Sequence, residues 1–114
     1  MHALSLLALL LPIVAVNGYT QCDCQTASDD GVWKFDPVLT HWVCYHSYGN
    51  HALWSETEQR CVANQGATLD GDAWQQMCIA AGVQNGYYDF DKTGAPITNV
   101  PAMMVGHAAG QCPK

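Results

Sequence analysis

The residues through which this chain could do chemistry are its cysteines, its histidines and one acidic loop. Cys22, Cys24, Cys44, Cys61, Cys78 and Cys112 make an even set, spread along the chain with no two adjacent. Outside the cell such a set reads as three disulfides that staple a small domain. Their spacing leaves the connectivity open. Of the histidines, His41 and His46 are five residues apart, about 140° around a helix, so they do not share a face as paired metal ligands would. His51 and His107 stand apart from them. Asp89-Phe90-Asp91-Lys92-Thr93-Gly94 begins like a calcium loop, with Asp at positions one and three and Gly at six. Val100 stands where the bidentate Glu of such a loop belongs, so the segment reads as a solvated turn. There is no Gly-x-Ser-x-Gly and no His-Glu-x-x-His, and capping explains Asp70 and Asp72. The expectation is no catalytic residue, no metal and no cofactor, with His41, Asp89, Asp91 and His107 solvated.

The chain begins with an export signature. Residues 3–16 form an apolar run of signal-peptide length, too short to span a bilayer comfortably. Val16 and Gly18 supply small residues at −3 and −1 for a cut before Tyr19. The expected organisation is a signal peptide at 1–18 and one cysteine-rich secreted domain at 19–114. A 96-residue remainder can bury only a small core, so three disulfides worth roughly 2–4 kcal/mol each would matter to its survival. The formal net charge is −6. That sign disfavours nucleic-acid phosphates and anionic membranes as partners, and no second apolar run suggests membrane insertion. None of the asparagines is followed two residues later by Ser or Thr, so N-glycosylation is not expected.

The elements that must position these residues are legible in outline. Gln21 to Gln25 alternates and suits a strand with both cysteines on one face. Ser28 to Gly31 is a turn. Asp36-Pro37 opens a helix, with Leu39, Trp42, Val43 and His46 at helical spacing and Gly49-Asn50 as the stop. Ala52 to Ala63 reads as one or two strands. A second helix starts at Asp70 or Asp72, with Gln75 positioned for a weak capping box. It carries Trp74, Met77, Cys78 and Ala81 as its stripe and stops at Gly82. Residues 86–101 read as a loop and hairpin, and Ala102 to Cys112 as a last strand. The implied fold class is α+β, two helices packed on a three- to four-stranded antiparallel sheet. Cysteines on both helices should pair with strand cysteines, because each helix must be held to the sheet.

Aromatic residues are abundant for so small a domain. Trp42 and Trp74 read as structural. Trp33, Trp54, Tyr87 and Tyr88 are the candidate binding residues, since exposed rings suit protein contact or sugar stacking. Met103 and Met104 lie in an uncharged stretch that is either core or an adaptable contact surface.

The order of these motifs resembles a known family. A Cys-x-Cys-Gln start, Thr40-x-x-x-Cys44, a lone Cys61, Leu69-Asp-Gly-x-x-Trp-x-x-x-Cys78 and a terminal Gly-Gln-Cys are similar to the small secreted cysteine-rich proteins of filamentous fungi, notably the killer-toxin-like subset of candidate effectors. Relatives of that kind often carry adjacent Cys-Cys pairs on their helices. Here Val43-Cys44 and Met77-Cys78 stand instead, so no disulfide map carries over. The resemblance implies secretion, host or competitor contact and no known catalysis, and the role expected from it is virulence through modulation of host defence. The reading is a secreted non-catalytic effector that binds a host or extracellular protein or glycan. The alternative is an antimicrobial or killer-type toxin, and a small enzyme ranks third. Target, oligomeric state and entry into host cells are not legible.

Overall fold

A computed structural model describes residues 18–113. The apolar run at 3–16, read above as an export signal, lies outside the described residues. The elements, in order, are β1 (Gly18–Tyr19), β2 (Gln21–Ala27), β3 (Trp33–Phe35), α1 (Pro37–Tyr48), β4 (Ala52–Ser55), β5 (Arg60–Ala63), β6 (Leu69–Asp70), α2 (Gly71–Ile79) with a π-helical continuation over Ala80–Asn85, and β7 (His107–Gln111). The fold is a small α+β arrangement of two helices, an antiparallel sheet and three disulfides. The main sheet has five strands, more than the three or four expected, and β1 and β6 form a separate two-stranded ladder.

Strand β2 organises the sheet. It pairs with β7 from Asp23 to Ala27, with β3 from Gln25 to Ala27, and with β5 through Gln21 and Cys22. Strand β5 in turn pairs with β4. The ladder to β7 runs Asp23↔Gln111 through Ala27↔His107, and one step further places Cys112 opposite Cys22. The Cys22–Cys112 disulfide joins that pair. Cys24–Cys78 ties β2 to α2, and Cys44–Cys61 ties α1 to β5. Both helix cysteines therefore pair with strand cysteines, and no cysteine is left free. The bridges span 90, 54 and 17 residues. Long closures restrict the unfolded chain most, at roughly 3–5 kcal/mol each in the chain-entropy account.

The cysteines are also the core. Cys22, Cys24, Cys44, Cys61 and Cys78 form one buried cluster with Leu39, Val43, Leu69 and Trp74, and the half-buried Cys112 packs against it. Trp74 is fully buried and donates its Nε1–H to the Asp23 carbonyl at 2.8 Å. Opposite it, a Cβ at Gly110 would fall 2.6 Å from Trp74 Cδ1, so only glycine lets β7 approach this ring. Thr40 is buried too. Its hydroxyl accepts from Cys24 N at 2.9 Å and donates to the Asp36 carbonyl at 2.7 Å, so the polar group in the core is satisfied.

Helix α1 begins as its sequence implies. Asp36 Oδ1 accepts from Leu39 N at 2.9 Å, with Pro37 in the first turn. Its buried face is Leu39, Thr40, Val43 and Cys44. The expected stripe is thus corrected by a rotation. Trp42 is half-buried and His46 exposed, because Thr40 and Cys44 have partners inside that those rings lack. The helix ends before Gly49, whose φ of −55° is right-handed, so no left-handed glycine cap forms.

Helix α2 is capped by Asp70, which accepts from Asp72 N at 3.1 Å. Trp74, Cys78 and Ala81 are buried, whereas Met77 faces outward. Gly82 does not stop the helix. It is buried where a Cβ would lie 3.1–3.2 Å from Leu39, Val105 and Ala108, and the chain turns at Gly86, with φ +88°. Its smallness serves packing.

Asp36 does more than cap. Its Oδ2 accepts from the Tyr87 hydroxyl at 2.9 Å and from Thr26 Oγ1 at 3.1 Å, joining α1, β2 and the loop after α2. Burial first, then the Asp36 carboxylate, pushes the Tyr87 phenol well above the usual tyrosine range. Asp36→Ala is therefore expected to cost about 2–4 kcal/mol, the sum of a lost cap and a stranded hydroxyl. Urea unfolding of the disulfide-intact protein measures it. The same substitution on a Tyr87→Phe background should cost about 1 kcal/mol less. Equal costs on both backgrounds would mean that the two side chains are not coupled.

Candidate functional site

Rotation of α1 toward Thr40 and Cys44 leaves a row of rings on its other flank. His41, Trp42, Tyr45 and His46 meet Trp54 from β4 and Tyr88 and Phe90 from the loop that follows α2. His41 lies between two other rings. It stacks on Phe90 at 3.6 Å between centroids, with planes 15° apart, and on Trp54 at 4.7 Å and 7°. Tyr45 meets Phe90 edge-on at 5.4 Å. Trp42 stacks on His46 at 5.0 Å and takes Tyr88 edge-on at 5.5 Å. Stacked and edge-to-face pairs of this kind contribute about 0.5–1.5 kcal/mol each beyond area burial.

The loop is held over the helix by its own bonds. Tyr87 and Met103 exchange both backbone hydrogen bonds, at 3.0 and 2.8 Å. Further out, Ile97 N donates to the Asp89 carbonyl and Asp91 N to the Ala95 carbonyl, both at 2.8 Å. The Asp91 carboxylate closes the tip. Its Oδ1 accepts from Thr93 Oγ1 at 2.6 Å, Thr93 N at 2.8 Å and Ala95 N at 3.1 Å. Those bonds, the Thr93 hydroxyl first, hold the Asp91 carboxyl below the usual carboxylate range. Gly94 takes the positive φ of +87° that the turn requires. The calcium-like segment is thus a hairpin tip whose first acid positions Phe90 and whose second ties the turn.

Between this tip, α1 and β4 opens a cleft of about 550 Å³. His41, Tyr45, Trp54 and Phe90 line it, and Glu56, Asp89 and Asp91 stand around it. Trp54 donates its Nε1–H to Glu56 Oε2 at 3.1 Å, which fixes both. Burial lowers the His41 pKa, and the Glu56 and Asp89 carboxylates only partly oppose it. His41 was expected to be solvated. It is half-buried in a stack instead, because the hairpin tip folds Phe90 onto it.

The four candidate rings fall in three places. Trp54 walls the cleft, and Tyr88 is half-buried against Trp42 in the same cluster. Tyr87 is buried, with its hydroxyl bonded to Asp36, and so acts as the anchor of the loop. Trp33 is 48% exposed on β3, well away in sequence and facing His107 at 6.5 Å. Met103 and Met104 are exposed, which places their stretch on the surface. Sequence reasoning missed His41, Tyr45 and Phe90 as site residues. The signal was available: four aromatic side chains at 41, 42, 45 and 46 occupy the flank of α1 not taken by Leu39 and Val43. Among the described residues, no three His, Cys, Asp or Glu side chains gather into a metal-holding group.

No family model matches the chain, and neither a curated protein nor a solved structure matches it.

The depressed His41 pKa makes stability pH-dependent with a definite sign. As pH falls through about 6.5 the unfolded chain takes up this proton while the folded protein resists it. The contribution of His41 is therefore whole above that pH and declines as pH drops toward its folded pKa. His41→Phe keeps a stacked ring and removes the titration. Melting temperatures between pH 7 and pH 5 should fall less steeply in the variant than in the parent. Parallel profiles would show that the stack does not disfavour protonation.

Proposed function

We propose that this is a secreted, non-catalytic, cysteine-rich protein that acts by binding an extracellular protein, in the manner of a fungal effector that modulates a host. The observation that carries the reading is the aromatic cleft beside α1. Four rings, His41, Tyr45, Trp54 and Phe90, line it, and Trp42, His46 and Tyr88 extend the cluster beside it, on a frame tied by disulfides. Rings already held in place lose little freedom on association, and Trp and Tyr are the residues that most often dominate binding energy. All six cysteines are bonded, so no thiol nucleophile remains, and the His41 ring is committed to stacking. These facts favour contact over chemistry. Three disulfides fit a chain that works outside the cell. The cleft rim, where Glu56, Asp89 and Asp91 outnumber Lys92, and the net charge of −6 favour a partner whose contact surface is basic, through faster encounter more than tighter binding.

The test is capture of a partner from host extracellular fluid by the mature, disulfide-intact protein. Tyr45→Ala and Trp54→Ala should each weaken capture at least about tenfold, a hot-spot loss of roughly 1.4 kcal/mol or more, with the fold intact by circular dichroism. Undiminished capture by both variants would move the binding surface away from the cleft. Growth arrest of a test fungus by the purified protein would instead favour the killer-type toxin.

A further inference from the structure

The face of the main sheet that carries Asp23 is a second surface, independent of the cleft. On β2, Cys22 and Cys24 bond to Cys112 and Cys78, while Asp23, Gln25 and Ala27 alternate to the opposite side. The ladders complete that side. Gln111 stands opposite Asp23, Phe35 and Ala109 flank Gln25, and Trp33 and His107 flank Ala27. Arg60 follows Cys61 in register and reaches Asp23. Trp33 and Phe35 are 48% and 42% exposed, two large rings on one face of a three-residue strand.

Asp23 is the anomaly. It is 2% exposed, and its Oδ2 accepts from Arg60 Nε at 3.1 Å. Its Oδ1 is buried with no hydrogen-bond partner. A buried carboxylate oxygen without a donor requires an explanation, because its lost hydration is not replaced. Burial raises the Asp23 pKa, and the Arg60 guanidinium and the nearby Gln111 amide only partly oppose it; neither closes a bond to Oδ1. A recess of about 270 Å³ opens at this point, lined by Asp23, Phe35, Glu58, Gln59, Arg60 and Gln111.

The ligand that fits must donate to a carboxylate, accept from a guanidinium, and offer an apolar face to aromatic rings. A sugar does all three, since each hydroxyl both donates and accepts and the ring C–H faces stack on aromatics. Trp33 and Phe35 are about 6.6 Å apart along the strand, so a chain of sugars spans both where a single one would not. A net charge of −6 disfavours an acidic polysaccharide. We propose that this face binds a neutral oligosaccharide, with one sugar seated in the recess over Asp23 and Arg60 and its neighbours stacked on Phe35 and Trp33. The exposed Gln111 side chain swings aside to admit the hydroxyl that Oδ1 lacks.

Calorimetric titration of the disulfide-intact protein with neutral hexasaccharides of β-linked glucose, N-acetylglucosamine and mannose tests this. The expected result is saturable binding to at least one of them. Trp33→Ala and Asp23→Asn should each weaken it at least tenfold, while Trp54→Ala, in the separate cleft, leaves it unchanged. If Asp23→Asn fails to fold, Phe35→Ala takes its place, since that ring is exposed. Absence of saturable binding to all three at millimolar concentration overturns the proposal, as does binding that Trp33→Ala leaves unaltered. Loss of protein capture in Trp33→Ala, without sugar binding, assigns the face to a protein partner and also overturns it.

Discussion

Three consecutive residues, Cys22, Asp23 and Cys24, impose the constraint on which the rest of the fold depends. Strand alternation sends the two cysteines to one side and the aspartate to the other. One cysteine closes the β7 ladder and the other reaches α2. The same stretch spends its backbone on the helices: Cys24 N donates to Thr40 of α1, and the Asp23 carbonyl accepts from Trp74 of α2. A slip of one residue would exchange the faces, carrying both cysteines into solvent and the aspartate into the cystine core. Register, helix docking and the outward ion pair to Arg60 are thus consequences of a single strand placement.

The cleft is positioned at one remove from that strand. Thr40 and Cys44 point α1 inward, toward β2 and β5. That orientation leaves the His41, Trp42 and Tyr45 flank free to be covered. Asp36 then holds the covering loop, because its second oxygen receives the Tyr87 hydroxyl. Phe90, three residues on, is brought over the face of His41 opposite the one that rests on Trp54. The chain from core cystine to helix rotation to loop anchor explains why the aromatic surplus is concentrated on one side of α1.

Much of this was legible in the sequence. Asp36-Pro37 announced the start of α1, and Asp70 was one of the two acids offered for the start of α2, since capping is a local property of side chain and backbone. The cysteine alternation announced β2, and the need to fasten helices to a sheet announced helix-to-strand bridges. What was not legible depended on partners distant in sequence. Strand β3 is three residues long, too short to show a period. The inward face of α1 was misread because Thr40 looks polar until its two backbone partners are known. Gly82 looked like a stop because glycine commonly is one, and only the approach of Leu39, Val105 and Ala108 shows why it lies inside. Tyr87 and Tyr88 are adjacent and alike in sequence, yet one is anchored by Asp36 and the other rests on Trp42.

The most direct measurement is disulfide mapping of the purified protein, denatured without reduction at acid pH. Cleavage before aspartate separates Cys22 from Cys24 at Asp23 and Cys61 from Cys78 at Asp70 and Asp72, and cleavage after arginine separates Cys44 from Cys61 at Arg60. Each cysteine then lies in its own peptide. The account predicts three linked pairs, Cys22–Cys112, Cys24–Cys78 and Cys44–Cys61, with no free thiol. A Cys24–Cys112 or Cys22–Cys78 bridge would contradict the β2 register, and with it the placement of both helices and of the surfaces built on them.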